Sequence, residues 1–229
     1  MVKINTLEKL QDKIDFELSW RKKEIIKLDF NIYQARIHGN AKFTIREGYL
    51  LLYADWEGFI RTVANYYVIF VFSKKYKLKN LSTGFWVIYN FSEFNKIYKS
   101  PRKKADKSFV DNLITTLDKS TNKSYIDKVK KRFINTNSNL NYDRFSEILY
   151  ILGLDYNKYS LKKNYIDSVL LKNRNSIAHG ENMKFTFTSD DVDEFRQALK
   201  IIIEIMNSFK EDILNAAINE NFINHSLFN

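Results

Sequence analysis

The chain has 229 residues, 45% of them hydrophobic, with 37 Lys+Arg against 27 Asp+Glu and a formal net charge of +10. It holds no cysteine, one proline, six glycines and three histidines, which excludes disulfide scaffolds, thiolate metal sites and cysteine nucleophiles and leaves too few imidazoles for a multi-histidine metal centre. So few turn residues argue against an all-β sandwich or barrel and for long helices joined by polar loops, in a length that suits one large domain.

The start, MVKINTLEKLQDKID, is charged from Lys3 onward and lacks the apolar stretch of a secretory signal. The most apolar run, at 66–72, is far shorter than a membrane span. The expectation is a soluble, cytoplasmic protein with no membrane partner. Thr6 is placed to cap a helix running to about Arg36, in which Leu7, Leu10, Ile14, Leu18, Ile25, Leu28 and Ile32 recur at three, four or seven residues. His38, Gly39 and Asn40 end it. A second helix is expected from about Thr44 to Ser73, with Tyr49, Tyr53, Trp56, Ile60, Val63, Tyr67 and Phe70 forming an aromatic-rich core stripe.

Residues 74–135 read as an insertion: an apolar patch at 85–98, the basic stretch SPRKKADK, and amphipathic segments near 108–119 and 124–134. The loop NTNSNLN at 135–141 follows, with Asn139 or Asn141 available to cap the helix YDRFSEILYIL, which Gly153 ends. A further helix is expected from about Leu161 to His179, closed by Gly180 in the left-handed conformation. MKFTFTS suits an extended segment, Ser189 before DDVDE suits a helix start, and the last helix runs to about Asn219, with a frayed tail at 220–229. The assembly these elements imply is an all-α antiparallel bundle of four or five core helices in a single domain over 1–229.

The excess charge is concentrated. Residues 74–132 carry 16 Lys+Arg against 5 acids, while the rest of the chain carries 21 against 22. A basic surface of this density is the footprint of a polyanion partner. The alternative is a solvated insertion whose lysines, like the many Asn, Ile, Tyr and Phe, reflect composition.

On the 161–179 helix Ile166, Leu170 and Ile177 form the apolar stripe, and Arg174 lies on the same face. A guanidinium there needs a carboxylate or a phosphate, so a structural salt bridge and an anion site both remain open. His179 lies about 140° further round a straight helix. It is either a capping residue or a chemical one, with Asn175, four residues before it, placed to fix its tautomer. Glu57 has two readings as well: a surface pair with Arg61 four residues on, or a partner that orients Arg174. Asp55 borders the core stripe of the second helix and carries less weight. Trp20, Trp56 and Trp86 read as core, and His38 and His225 as loop and tail residues.

The strings REGYLLLYADWEGFIRTVANYY at 46–67, NLNYDRFSEILYILGLD at 139–155 and RNSIAHGEN at 174–182 change this balance. RNSIAHG resembles the R-x4-H motif of the HEPN superfamily, and the three strings in this order are similar to the MAE-type HEPN nucleases of prokaryotic defence and toxin loci. The resemblance implies a homodimer in which Arg174 and His179 of both chains line one cleft, acting as a metal-independent endoribonuclease without cofactor. The 2′-hydroxyl attacks the adjacent phosphate, leaving 2′,3′-cyclic phosphate and 5′-hydroxyl ends. In that scheme His179 moves protons, Arg174 holds the phosphate, and Asn175 and Glu57 support them. Arg102, Lys103, Lys104, Lys107, Lys130, Lys131 and Arg132 would guide single-stranded RNA or tRNA, and an antitoxin or defence-system protein is an expected partner. Glu181 stands where some HEPN toxins carry a tyrosine that a partner enzyme modifies, so that form of control is not implied. The competing reading is a catalytically silent HEPN module that binds RNA or protein.

Overall fold

A computed structural model describes residues 4–39, 41–98, 107–121, 134–180 and 189–224, and among these the chain is helical, with two isolated bridges and no strand. Helix α1 spans Leu7–Ile37, and Thr6 caps it by accepting the Lys9 N–H at 3.3 Å. Its buried row is the expected one, Leu10, Ile14, Leu18, Ile25, Leu28 and Ile32, with Arg21 in the same row. Helix α2, Ala41–Ser73, begins slightly before the position its periodicity marks. All seven residues of its expected stripe are buried, and so are Phe59, Ala64, Val68, Val71 and Phe72. A helix buried on most of its circumference is a central one rather than a one-faced surface element.

The remaining α-helices are α3 Thr83–Tyr98, α4 Lys107–Thr116, α5 Tyr142–Ile151, α6 Lys172–Ala178 and α7 Ser189–Ile218. The three long helices, α1, α2 and α7, pack on one another. Asp15 meets Lys210, Lys22 meets Asn207 and Asp29 meets Arg196, so residue numbers rise on α1 as they fall on α7 and the two run antiparallel. Tyr49 against Phe195 and Phe59 against Phe209 set α2 parallel to α7. The core between them is aromatic: Phe145 of α5 lies edge-on to Trp56, Tyr159 and Phe209 at centroid distances of 5.0, 5.1 and 5.9 Å, the geometry favoured by the ring quadrupoles.

Helix α5 is capped as its sequence suggests, with Asn141 Oδ1 accepting the Arg144 N–H at 2.8 Å. Gly153 follows it and Gly180 follows α6, both at positive φ, +74° and +72°. The stretch read as one α-helix over 161–179 is instead a 3-10 segment at Asn157–Lys162, a π-helical segment at Tyr165–Leu171, and then α6. The Lys172 N–H donates to the Asp167 carbonyl, five residues back, while the Asp167 carboxylate accepts the Tyr142 N–H at 2.7 Å and ties the segment to the start of α5. Apolar spacing does not distinguish such a widened turn from an ordinary one, because both bury Ile166 and Leu170.

The described part of 74–135 enters the core. Leu78, Leu81, Phe85 and Ile88 are buried, and α3 packs on α5. Residues 220–224, the described part of the stretch expected to fray, are held: Phe222 is buried beside Tyr67 and Phe70, its carbonyl accepts the Ser82 N–H at 2.8 Å, and the Asn224 N–H donates to the Asn80 carbonyl at 2.9 Å. An aromatic anchor and two backbone bonds outweigh the polar character of residues 219–221. The segment 124–133, the extended stretch at 183–188, His225, Arg102, Lys103, Lys104, Lys130, Lys131 and Arg132 lie outside the described residues. No described helix is long and apolar enough to cross a membrane.

Candidate active site

Helix α6 follows the π-helical segment directly and carries Arg174 on its first turn, with His179 as its C-cap. Arg174 is half-buried and His179 exposed. The expected alternatives for Arg174 were a carboxylate and an anion, and among the described residues no carboxylate lies within ion-pair distance of it. Instead the guanidinium carbon sits 4.8 Å from the centroid of the Tyr53 ring, and Nη1 donates to Asn175 Oδ1 at 2.7 Å. A guanidinium has five N–H donors in a planar fork, so this arrangement leaves donors for an incoming anion.

Asn175 therefore engages Arg174 with its side chain and reaches His179 through the backbone, its carbonyl accepting the His179 N–H at 2.9 Å. The imidazole has no hydrogen bond among the described residues and is exposed at the C-terminus of the helix.

Glu57 forms an ion pair with neither Arg61 nor Arg174 among the described residues. Its carboxylate accepts the hydroxyl of the fully buried Thr136 and interacts with the Tyr53 hydroxyl. That same hydroxyl accepts the Leu140 N–H at 2.6 Å. Burial, ahead of the opposing Leu140 hydrogen bond and the nearby Glu57 charge, pushes the Tyr53 phenol up to about 12, so it stays neutral. About two turns further on, Asn65 binds both the N–H and the carbonyl of Ile134 at 3.2 Å. Positions 53, 57 and 65 lie on one face of α2, and together they clamp the loop 134–141 onto it. Tyr53 was read from its spacing as core, which its 2% exposure bears out. Its contact with Arg174 joins residues 121 positions apart, and no local pattern marks such a contact.

The Trp56, Glu57, Gly58 string is divided among three surroundings. Trp56 fills the core, Glu57 turns to Thr136, and a Cβ on Gly58 would come 3.1 Å from Arg21 Nη2. Arg21 belongs to a buried ionic cluster that the sequence reading passed over. It pairs with Glu17, lies 4.0 Å from Asp55 through Nε, and stacks on Trp20 at 4.0 Å. Its position in the α1 core row, between Leu18 and Ile25, was the available signal. Lys107 is exposed at the start of α4.

The all-α bundle is consistent with a HEPN-type helical fold. A family model described as RiboL-PSP-HEPN matches residues 17–215, and the chain belongs to this family. The match runs from α1 into the last turns of α7 and contains both motif residues. HEPN domains are associated with nuclease activity and RNA binding. Comparison with curated proteins and with solved structures returns no match.

Proposed function

We propose that the protein is a metal-independent endoribonuclease acting as a homodimer, with Arg174 and His179 of both chains lining one cleft. The observation that carries this reading is an arginine in the motif position with no carboxylate partner among the described residues, beside an exposed histidine on the same short helix. One imidazole removes the proton from the RNA 2′-hydroxyl as its oxygen attacks the adjacent phosphorus. The P–O5′ bond breaks, and the second chain's imidazolium protonates the leaving 5′-oxygen. The products are a 2′,3′-cyclic phosphate and a 5′-hydroxyl. A well-placed acid or base contributes about 10²–10⁴-fold, and Arg174 stabilises the charge that builds on the phosphoryl oxygens. Asn175 orients Arg174, and Glu57 supports the site through Tyr53 and Thr136. DNA lacks the nucleophile and is left intact.

Arg102, Lys103, Lys104, Lys107, Lys130, Lys131 and Arg132 are proposed to draw RNA to the cleft. The MAE-type likeness of the three strings supports a role as a toxin or antiphage effector with a cognate antitoxin or defence-system partner. The decisive experiment incubates single-stranded RNA and tRNA with the wild type, His179→Ala and Arg174→Ala in excess chelator. Cleavage by the wild type alone, with 2′,3′-cyclic phosphate ends, is the expected result. Uncut RNA with a folded wild-type dimer leaves a silent RNA- or protein-binding module, and cleavage abolished by chelator removes the metal-free mechanism.

A further inference from the structure

We propose that Tyr53 is the positioning residue of the site: its ring is the seat on which the Arg174 guanidinium lies, and its hydroxyl fixes that seat to the loop that follows the basic insertion. The proposal rests on the reading of Arg174 as the phosphate-holding group.

A long arginine side chain on a seven-residue helix has several rotamers available, and an unpaired one would sample solvent. Two contacts restrain Arg174. The Tyr53 ring meets its guanidinium at 4.8 Å, and Asn175 Oδ1 takes one N–H at 2.7 Å. Neither is a carboxylate, so among the described residues the positive charge is held in place without being neutralised. A carboxylate in the same place would compete with the substrate phosphate for the fork. An aromatic face attracts the cation and leaves its in-plane donors pointing outward.

The ring itself is immobilised. It is buried, and its hydroxyl is bound from two sides, accepting the Leu140 N–H at 2.6 Å while Glu57 lies beside it. Thr136 closes the chain by donating to Glu57. Glu57 thus bears on Arg174 through the tyrosine, and the loop 134–141 is coupled to the arginine by the same residue.

The test compares full-length Tyr53→Phe and Tyr53→Leu with the wild type, after circular dichroism has established folding. Two readouts are taken. One is the Arg174 Nε–H resonance in a proton–nitrogen spectrum, assigned by its loss in Arg174→Lys. The other is the kcat and KM for cleavage of a mixed-sequence single-stranded RNA. A guanidinium over a ring is shifted upfield by the ring current. Tyr53→Phe keeps the ring and loses only its tie to the loop, so the upfield resonance persists and kcat falls by no more than about threefold. Tyr53→Leu removes it, so the resonance moves to the position of an exposed arginine and kcat falls about tenfold or more, on the scale of a desolvated cation–π contact, with KM changed much less. An unshifted Arg174 resonance in the wild type overturns the proposal, whether or not the leucine variant folds. A folded Tyr53→Leu with wild-type kcat and resonance, or a Tyr53→Phe as impaired as Tyr53→Leu, overturns it as well. If the wild type cleaves no RNA while the ring-current shift is present and disappears in Tyr53→Leu, the nuclease reading fails and the seat stands. If the wild type cleaves and Tyr53→Leu matches it, the seat fails and the nuclease reading stands.

Discussion

Asp55 and Arg21 meet where α1 crosses α2, and their charges are not balanced as a simple pair. Burial, then the neighbouring Glu24 carboxylate, pushes Asp55 up to about 7 from an ordinary value of 3.8, against the pull of Arg21. A carboxyl whose folded value exceeds its unfolded one binds a proton more tightly in the native state. Its contribution to stability is complete below about pH 4 and is lost as pH rises towards 7. Asp55→Asn mimics the protonated form, so the melting temperature of the variant is expected to gain on that of the wild type as pH is raised from 4 to 7.5. Thermal unfolding followed across that range checks this, and parallel curves would show that Asp55 does not govern the slope. The same scale explains what was missed about this cluster. Arg21 was visible in the α1 row, but its partners Glu17 and Asp55 come from two helices, and only their packing makes the carboxyls compete for one guanidinium.

At the scale of elements, α2 does most of the positioning. Its core stripe was legible from three- and four-residue spacing, while the polar face at positions 53, 57 and 65 acquired meaning only when the loop 134–141 lay along it. The π-helical segment before α6 was not legible, since apolar spacing is the same for either kind of turn; in the fold Asp167 accepts the Tyr142 N–H at the start of α5. Helix α3 illustrates the converse. Its apolar content was plain, yet its seat depends on Gly84, where a Cβ would fall 1.9 Å from the Ile151 carbonyl oxygen. Gly84→Ala forces α3 away from α5 and is expected to destabilise the protein by about 2–3 kcal/mol, on the order of 5–10 °C in Tm. An unchanged Tm in calorimetry would mean that this backbone approach is not required.

At the scale of the molecule, the proposed chemistry needs two imidazoles and each chain supplies one with a suitable surrounding. In the proposed homodimer a two-fold axis would provide the second copy. The helix that carries Tyr53 also leaves Phe43, Leu50 and Leu51 exposed, by 67, 38 and 56%, an apolar face of the kind that marks a protein contact. Sedimentation at micromolar concentration is expected to give a dimer, and Phe43→Asp with Leu51→Asp to shift it towards monomer with loss of cleavage. A wild-type monomer at that concentration would remove the composite site.

Helical periodicity, the Thr6 cap, the stops at Gly153 and Gly180, and the Arg174 and His179 spacing were all determined by the sequence itself, because each depends on residues within a few positions of one another; of Asn139 and Asn141, the structure chose Asn141 as the cap. The contact of Arg174 with Tyr53, the engagement of Glu57 with Thr136 and the anchoring of Phe222 were decided by the tertiary structure alone. Each joins side chains from distant segments, and which polar group meets which is set by the packing of the helices that carry them. The concentration of positive charge was legible in the composition, which left both a polyanion partner and a solvated insertion open. That Arg174 lies on the face of a buried tyrosine could be seen only once α2 and α6 lay side by side.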